Sequence, residues 1–355
     1  MSRERRIDQF IASGEQIVFS EFMSEKLQIN MFVTCTMTKR FLGTGNVMLR
    51  EVDATSVPER FSKWTSRIQQ SRSTPQPAVE TYSGGHWSVV RSLNGTFESS
   101  QGSARLWIVS AGYGLISPAD LIIPYGATFA QGQPDSVSAS SDPAPVSSSI
   151  AWWRLLAQWR PPTILPDAPR SVAEVVLRQP QATHLLVLPP DYFRALRDDL
   201  RESLNHLADS RKLIIVSSDE KSCAELPNNT IKIDARLQVY LGGARSSLGI
   251  RTARAILQEL AGKPVHLASA RKVVTELLSR HGVAQIYDRR SVADSQVMLF
   301  ISGELSKNRL LSYSQALRKF RDAGFACEMK RFRKLFAATR EQRTAPLFTQ
   351  NGGGV

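Results

Sequence analysis

Ala104-Arg-Leu-Trp-Ile-Val109 runs without a break into Ser110-Ala-Gly-Tyr-Gly-Leu-Ile116. The first stretch is too short and too uniformly apolar for an amphipathic helix, and it ends in branched residues. It reads as a buried strand that stops at Ser110. Gly112 and Gly114 bracket a single tyrosine, so the backbone there comes close to whatever it faces, and a flat ligand is expected against it. The same pattern recurs elsewhere. Ile29-Asn-Met-Phe-Val-Thr-Cys35 leads into Thr36-Met37-Thr38-Lys39-Arg40. His184-Leu-Leu-Val-Leu188 leads into Pro189-Pro190-Asp191-Tyr192 and a helix to about residue 206, and Lys212-Leu-Ile-Ile-Val216 leads into Ser217-Ser218-Asp219. Helical patterns cover 8–17, 58–69, a short piece of 78–93, 150–159, 171–178 and 249–260, and a turn is expected at Gly43-Thr-Gly45. Strands alternating with helices predict an α/β fold: a largely parallel sheet with helices on both faces. In such sheets ligands bind beyond the carboxyl ends of the strands, so the four polar segments are expected to converge on one rim.

The 355 residues are 42% hydrophobic and 22% charged, a globular balance that excludes a fibrous or wholly disordered chain. No apolar run reaches the roughly 18 residues of a membrane span, and the amino terminus lacks the apolar core of a secretory signal. Cys35, Cys223 and Cys327 are far apart and form neither a disulfide framework nor a metal pattern, which fits a cytoplasmic protein. The five histidines show no metal-ligand spacing, and no complete GxGxxG or P-loop is present, so neither metal nor cofactor is expected.

Charge divides the chain. The net charge is +13, and residues 263–345 hold 17 Lys and Arg against 7 Asp and Glu, or +10 of that total. This asymmetry predicts an α/β domain over 1–262, with a flexible Ser/Pro-rich loop at 136–149. A small basic domain over 263–345 follows, then a disordered tail at 346–355. Within the basic region, 296–301 reads as a short strand. Helices are expected over 312–322, with Ser312 as N-cap, and over 326–339, joined by a turn at Ala323-Gly324. That arrangement suggests a helix-turn-helix or winged-helix unit. Arg318, Lys319, Arg321, Lys330, Arg331, Arg333 and Lys334 alternate with Leu317, Phe320, Phe325, Phe332, Leu335 and Phe336. The apolar positions pack the helices and the cations face phosphates; the bland alternative is an amphipathic hairpin with snorkelling arginines. In the first domain, Gly242-Gly243-Ala-Arg245-Ser246-Ser247 precedes a helix and is expected to hold a phosphate, with Arg245 as a further contact.

Ser-Ala-x-Tyr-Gly-Leu-Ile at 110–116 is followed by Asp-x-Ile-x-Pro-Tyr at 120–125, with Cys35 after the first strand and Tyr82-x-Gly84-x-His86-Trp87 between them. In this order, over about residues 29–260, the chain resembles YaaA-like α/β domains. Their fold is related to the uracil-DNA-glycosylase-like domains that accompany deazaguanine tRNA transglycosylases. It also resembles bacterial anti-phage DNA glycosylases that remove modified, glucosylated bases. The resemblance implies a glycosylase that hydrolyses the N-glycosidic bond of a flipped-out modified base and leaves an abasic site, in defence against phage. The uracil-glycosylase motif Gly-Gln-Asp-Pro-Tyr and the His-Pro-Ser loop are absent, so no catalytic residue transfers through them.

Base excision builds positive charge on the sugar and negative charge on the leaving base, and calls for a carboxylate on one side and donors on the other. Asp120 is the first candidate carboxylate and Asp191 the second, although Asp120 reads equally well as a turn residue. Lys39, His86 and the backbone N–H groups around Gly112 and Gly114 are candidate donors to the base. For Lys39, phosphate or leaving-group contact is favoured over Schiff-base chemistry. Tyr113, Tyr125 and Trp87 are the expected stacking platforms, with Cys35, Thr36, Ser110 and Thr128 completing the pocket. Cys35 reads as packing rather than nucleophile, and Trp152, Trp153 and Trp159 as a core-facing anchor. The expected partner is double-stranded DNA with modified bases, with no membrane and no obligate protein partner. The alternatives are a base-exchanging or nucleoside-processing enzyme acting on RNA, and a non-catalytic DNA-binding stress or regulatory protein.

Overall fold

The computed structural model describes residues 28–40, 47–93, 103–138, 142–280 and 288–344. The expected helix at 8–17, the turn at Gly43-Thr-Gly45 and the tail at 346–355 lie outside these residues. The chain divides into two units, Met1–Ala284 and Gln285–Val355. Among the described residues no helix is long and apolar enough to cross a membrane.

The first unit carries the strands β1 (Gln28–Thr34), β2 (Val47–Met48), β3 (Gln76–Pro77), β4 (Ser103–Ser110), β5 (Gly114–Ile116), β6 (Leu121–Ile122), β7 (Tyr125–Gly126), β8 (Thr183–Val187), β9 (Leu213–Ser217) and β10 (Thr230–Lys232). Six of them form one sheet in the order β10-β9-β8-β1-β4-β5. All neighbours are parallel except β5, which turns back antiparallel on β4. The registers align the strand ends: Thr34 sits opposite Val109, Val187 opposite Val216, and Lys232 opposite Ser217. The short strands pair as β2 with β7 and β3 with β6.

Every residue of β8 and β9 is buried. Successive side chains point to opposite faces, so both faces of the sheet are covered. The helices fall into two contacting sets. One holds Val57–Gln70, Pro145–Gln158, Val172–Arg178 and Pro190–Asn205; the other holds Gly85–Ser92, Arg236–Leu241, Leu248–Glu259 and Leu267–Arg280. Serines start two of them, as Ser56 Oγ accepts from the Glu59 N–H at 3.3 Å and Ser171 Oγ from the Glu174 N–H at 3.1 Å. Asp199 ties three helices of the first set together. Its buried carboxylate accepts from the Val172 and Ala173 N–H groups and from Trp153 Nε1, each at 2.9 Å.

Three expectations are corrected. The helix Leu267–Arg280 buries Leu267, Ala270, Val273, Val274 and Leu277 in the same core as the sheet. It therefore belongs to the first unit, and the division falls after the expected 262/263 boundary. The charge shift at residue 263 followed the exposed face of this helix, while its apolar stripe decides membership. Of the loop expected over 136–149, residues 139–141 lie outside the described residues; in the rest, Ser136, Val137 and Ser138 are buried, Thr128 bridges Ser136, and Pro145 opens a helix. Pro145 fixes the dihedral of a first turn, a signal that the Ser and Pro composition masked.

The third correction lies in the second unit. Residues 296–301 are not a strand but part of the helix Asp294–Lys307, whose buried Val297, Ile301 and Leu305 recur every fourth position. A short unbroken apolar run does not distinguish strand from helix; here the spacing beyond residue 301 settles it. Helices Tyr313–Asp322 and Met329–Thr344 follow, with a short parallel pair of β11 (Arg290–Ser291) and β12 (Phe325–Ala326). Ser312 caps its helix as expected, in a reciprocal box with Gln315. Gly324 makes the turn with φ +83°. Leu317, Phe320, Phe332 and Phe336 fill this unit's own core.

Burial holds the His86 and His184 imidazoles down to about 4. The unfolded chain takes up these protons first, so their stabilising contribution is complete above pH 6.5 and is lost as pH falls toward 4. Asp199, pushed up to about 6 by burial, acts in the opposite sense over the same range. Chemical denaturation of His184→Gln between pH 4 and 7 is expected to show a flatter loss of stability on acidification than the parent chain.

Candidate functional site

Because β9, β8, β1 and β4 are neighbours in that order, the segments following them stand side by side. Ser217–Asp219, Pro189–Tyr192, Cys35–Lys39 and Ser110–Gly114 form one rim at the carboxyl edge. Three buried tryptophans hold this rim by their indole N–H groups. Trp87 donates to Thr34 O at 3.2 Å, Trp152 to Ala111 O at 2.8 Å and Trp64 to Gly112 O at 2.9 Å. Each satisfies a carbonyl where the strand ladder ends.

Inside the rim lies a chain of buried hydroxyls. Ser110 Oγ accepts from the N–H groups of Gly112 (3.2 Å) and Tyr113 (3.0 Å) and lies 2.6 Å from the Tyr125 hydroxyl, which lies 2.9 Å from that of Tyr82. With both serine lone pairs occupied, Ser110 donates to Tyr125 and Tyr125 donates to Tyr82. The proton of Tyr82 is then the outgoing end. Burial pushes both phenols well above their ordinary value. Beside them Cys35 Sγ lies 3.1 Å from the Tyr192 hydroxyl.

Lys39 enters this cluster from the turn after β1, and its backbone bridges Tyr82. Its side chain is only 5% exposed. The amine donates to Thr36 O at 2.8 Å and lies 4.3 Å from the Tyr125 ring centroid and 5.6 Å from that of Tyr82. Among the described residues no carboxylate reaches ion-pair distance of it; Asp135, held bidentately by Arg50, acts only at longer range. Burial lowers the Lys39 ammonium to about 8. The amine therefore changes protonation near neutrality, one turn beneath the exposed Met37 and Thr38.

The structure brings Cys35, Thr36, Lys39, Ser110, Tyr125 and Thr128 together. It gives other expected residues different work. Gly112 does not admit a flat ligand, because a Cβ there would stand 2.5 Å from the ring of Tyr125, so the glycine makes room for the protein's own side chain. Gly114, at φ +75°, serves the hairpin turn from β4 to β5. Tyr113, Tyr125 and Trp87 are buried and are not open stacking platforms. Tyr113 packs on Tyr125 and Trp159 and accepts from the Ile123 N–H, while Trp87 packs on Tyr82. Asp120 is a turn residue: its carboxylate accepts from the Ser117 N–H at 2.7 Å, and its charge acts on buried Arg170 rather than on the Lys39 cluster. Asp191 is on the rim, beside Tyr192, and pairs with Arg194 at 2.6 Å. His86 opens the helix Gly85–Ser92, and its buried Nε2 has no hydrogen-bond partner among the described residues.

Several residues carried no sequence signal. Tyr82 and Tyr192 lie in polar segments that gave them no role, and Arg50 and Asp135 lie outside those segments. Arg170 is wholly buried and donates to the carbonyls of Tyr113, Leu115 and Trp159, which pins the β4–β5 hairpin. Nothing in its neighbourhood marks it as a core cation.

The expected phosphate contacts also separate. In the second unit Lys319 pairs with Glu304, Arg331 pairs with Asp294, and Arg321 donates to Cys327 O. Arg318, Arg333 and Lys334 are exposed and make no ion pair among the described residues; Arg333 lies over the Tyr313 ring. The side chain of Lys330 lies outside the description. In the first unit Arg245 is exposed, just ahead of the helix Leu248–Glu259. Among the described residues no group of three or more His, Cys, Asp or Glu is placed to hold a metal. The chain matches no protein-family model, no curated protein and no solved structure.

Gly112→Ala is expected to displace the Tyr125 ring and lower stability by about 1–3 kcal/mol, the usual range for overpacking a tight core. A melting temperature equal to the parent's would contradict the ring contact.

Proposed function

We propose that the chain excises a modified nucleobase from DNA by hydrolysing its N-glycosidic bond, with the chemistry at the Lys39 cluster. The observation that carries this reading is a buried amine without a carboxylate partner among the described residues, held at a strand end on the rim where α/β sheets bind ligands. As the glycosidic bond breaks, negative charge grows on the base. A fixed cation in a water-poor site stabilises that charge more than the ground state, and Lys39 Nζ hands a proton to the departing ring nitrogen. The Ser110–Tyr125–Tyr82 chain supplies a second donor. Asp191, rather than Asp120, is the rim carboxylate that serves the sugar cation and its attacking water.

An everted base reaches such a rim once it has left the stack. Arg318, Arg333 and Lys334 supply cations for the phosphates. The second unit carries 13 Lys and Arg against 6 Asp and Glu, so it attracts a polyanion by itself. The resemblance in segment order favours modified phage DNA as substrate, and the three scattered cysteines fit a cytoplasmic setting.

The decisive measurement is release of free base, with abasic sites, from modified duplex DNA incubated with the chain. Lys39→Met is expected to lose about 10²–10³-fold in rate, the range seen when one preorganised stabilising donor is removed. Asp191→Asn is expected to slow release and Asp120→Asn to leave it unchanged. Intact DNA would sink the reading. Release from tRNA instead would favour base chemistry on RNA, and tight binding with release from neither would favour a non-catalytic binding protein.

A separate test addresses the second unit. Replacing Arg318, Arg333 and Lys334 together by Gln is expected to weaken DNA binding and flatten its salt dependence by up to about 3 in log–log slope, roughly one per phosphate contact. An unchanged slope would remove these three residues from the interface.

A further inference from the structure

The segment between β10 and the helix Leu248–Glu259 runs along the same rim. The Ile233 N–H donates to Ser217 O at 2.9 Å, so the segment leaves from the carboxyl ends of β9 and β10. It returns to the sheet at the carboxyl end of β8, where a Cβ on Gly249 would stand 2.9 Å from Val187 Cγ1. The helix Arg236–Leu241 and the turn that follows it therefore lie along the carboxyl edge. The helix Gly85–Ser92 packs beside this segment, where Arg254 Nη1 donates to Ser92 Oγ at 3.3 Å. Just ahead of that helix the Ser83 N–H donates to Thr38 O at 3.0 Å, on the rim itself.

We infer that this segment binds a single strand of DNA, with Tyr240 under an unpaired base and Arg245 and Arg251 on the neighbouring phosphates. The choice of DNA rests on the proposed function; the surface is a separate one, on residues with no part in the chemistry at Lys39.

Charge comes first. Residues 235–258 hold four arginines and no Asp or Glu, and the helix Gly85–Ser92 adds Arg91 and no carboxylate. Arg236 pairs with Asp234, but Arg91, Arg245, Arg251 and Arg254 make no ion pair among the described residues. On the other face of the sheet, Arg154, Arg194 and Arg201 are all paired with carboxylates. Cations left uncompensated on one segment draw a polyanion. Exposure comes second. Val239 and Tyr240 are 57% and 52% exposed, and Arg245 and Ser246 are exposed a few residues on. An exposed aromatic beside cations suits an unpaired strand: the cations track the backbone while the ring accepts the face of a base. A duplex keeps its base faces stacked, so the ring adds affinity only where a strand is open. Third, the turn is firmly built. Gly242 and Gly243 take φ +67° and +72°, and Gln238 Nε2 donates to Gly243 O at 2.8 Å. The Arg251 guanidinium packs on Gly243, 2.5 Å from where a Cβ would stand, and its Nε donates to Ser247 Oγ at 3.2 Å. Arg251 is thus fixed against the turn, and less side-chain entropy is lost when it meets a phosphate.

The test reads binding of unmodified oligo-dT, and of an unmodified duplex of equal length, by fluorescence anisotropy, so it does not depend on base release. It uses the full chain with Arg318, Arg333 and Lys334 replaced by Gln, which lessens the share of the second unit. In this background Tyr240→Ala is expected to weaken oligo-dT binding about 5–150-fold, the range for loss of one base–aromatic stack, and to leave duplex binding unchanged. Tyr240→Phe keeps the ring and is expected to bind oligo-dT like its parent. Replacing Arg245 and Arg251 together by Gln is expected to flatten the salt dependence of oligo-dT binding by up to about 1.4 in log–log slope, roughly 0.7 per phosphate contact on a single strand. A Tyr240→Ala variant that loses nothing, or loses equally on both DNAs, would overturn the proposal. Competition by polyglutamate as strong as by unlabelled oligo-dT would overturn it too. A chain that holds oligo-dT through Tyr240 but releases no base keeps this inference and discards the excision reading. A chain that releases base, and whose Tyr240→Ala variant binds oligo-dT as before, does the opposite.

Discussion

The Tyr125 hydroxyl is the group around which the site is built. It is buried with no access to solvent, and a buried hydroxyl without partners is costly, by about 1–3 kcal/mol. Ser110 and Tyr82 satisfy it from two directions, and each is positioned in turn by backbone. Ser110 ends β4 and is fixed by the N–H groups of Gly112 and Tyr113; Tyr82 is fixed by its bridge to Lys39. The absence of a side chain at Gly112 allows the ring to reach its place. A single packed aromatic thus couples the strand end, the hairpin and the turn that carries the amine.

That coupling explains why the rim is ordered although it consists of loops. Strand ends leave carbonyls without ladder partners, and buried carbonyls require donors. Trp64, Trp87 and Trp152 provide them from three different helices, and Arg170 provides two more bonds at the hairpin and one to Trp159 O. Large apolar side chains with one donor each fill volume and satisfy backbone at once. The same packing isolates Lys39 from carboxylates and depresses its ammonium. The reactivity proposed for the amine is therefore a product of the core and needs no dedicated catalytic partner.

Much of the scaffold was legible in the sequence. The four long strands of the parallel sheet read as short apolar runs bounded by polar or glycine-rich segments, and their following loops were expected on one edge. The edge strands β5 and β10 were not expected as strands: β5 lies within the glycine-bracketed stretch, and β10 is only three residues long. The 296–301 run was misread because burial on one face of a helix and on both faces of a strand produce the same six-residue composition. In the site, Cys35, Lys39 and Ser110 were identified because each lies where an expected strand ends, and Tyr125 because an aromatic face suits a base. Tyr192 and Asp135 were missed because their roles depend on contacts across more than 80 residues of chain.

By itself the sequence determined the alternation of strands and helices, the parallel sheet and the concentration of positive charge toward the carboxyl terminus. These follow from periodicity, turn chemistry and composition, which act over a few residues. Only the tertiary structure decided that Tyr113, Tyr125 and Trp87 are packing groups and not stacking surfaces. It alone placed Asp120 in a turn and left Lys39 buried without a counter-ion among the described residues. Burial and ion pairing are properties of neighbours brought together from distant parts of the chain, and local sequence does not specify which neighbours arrive.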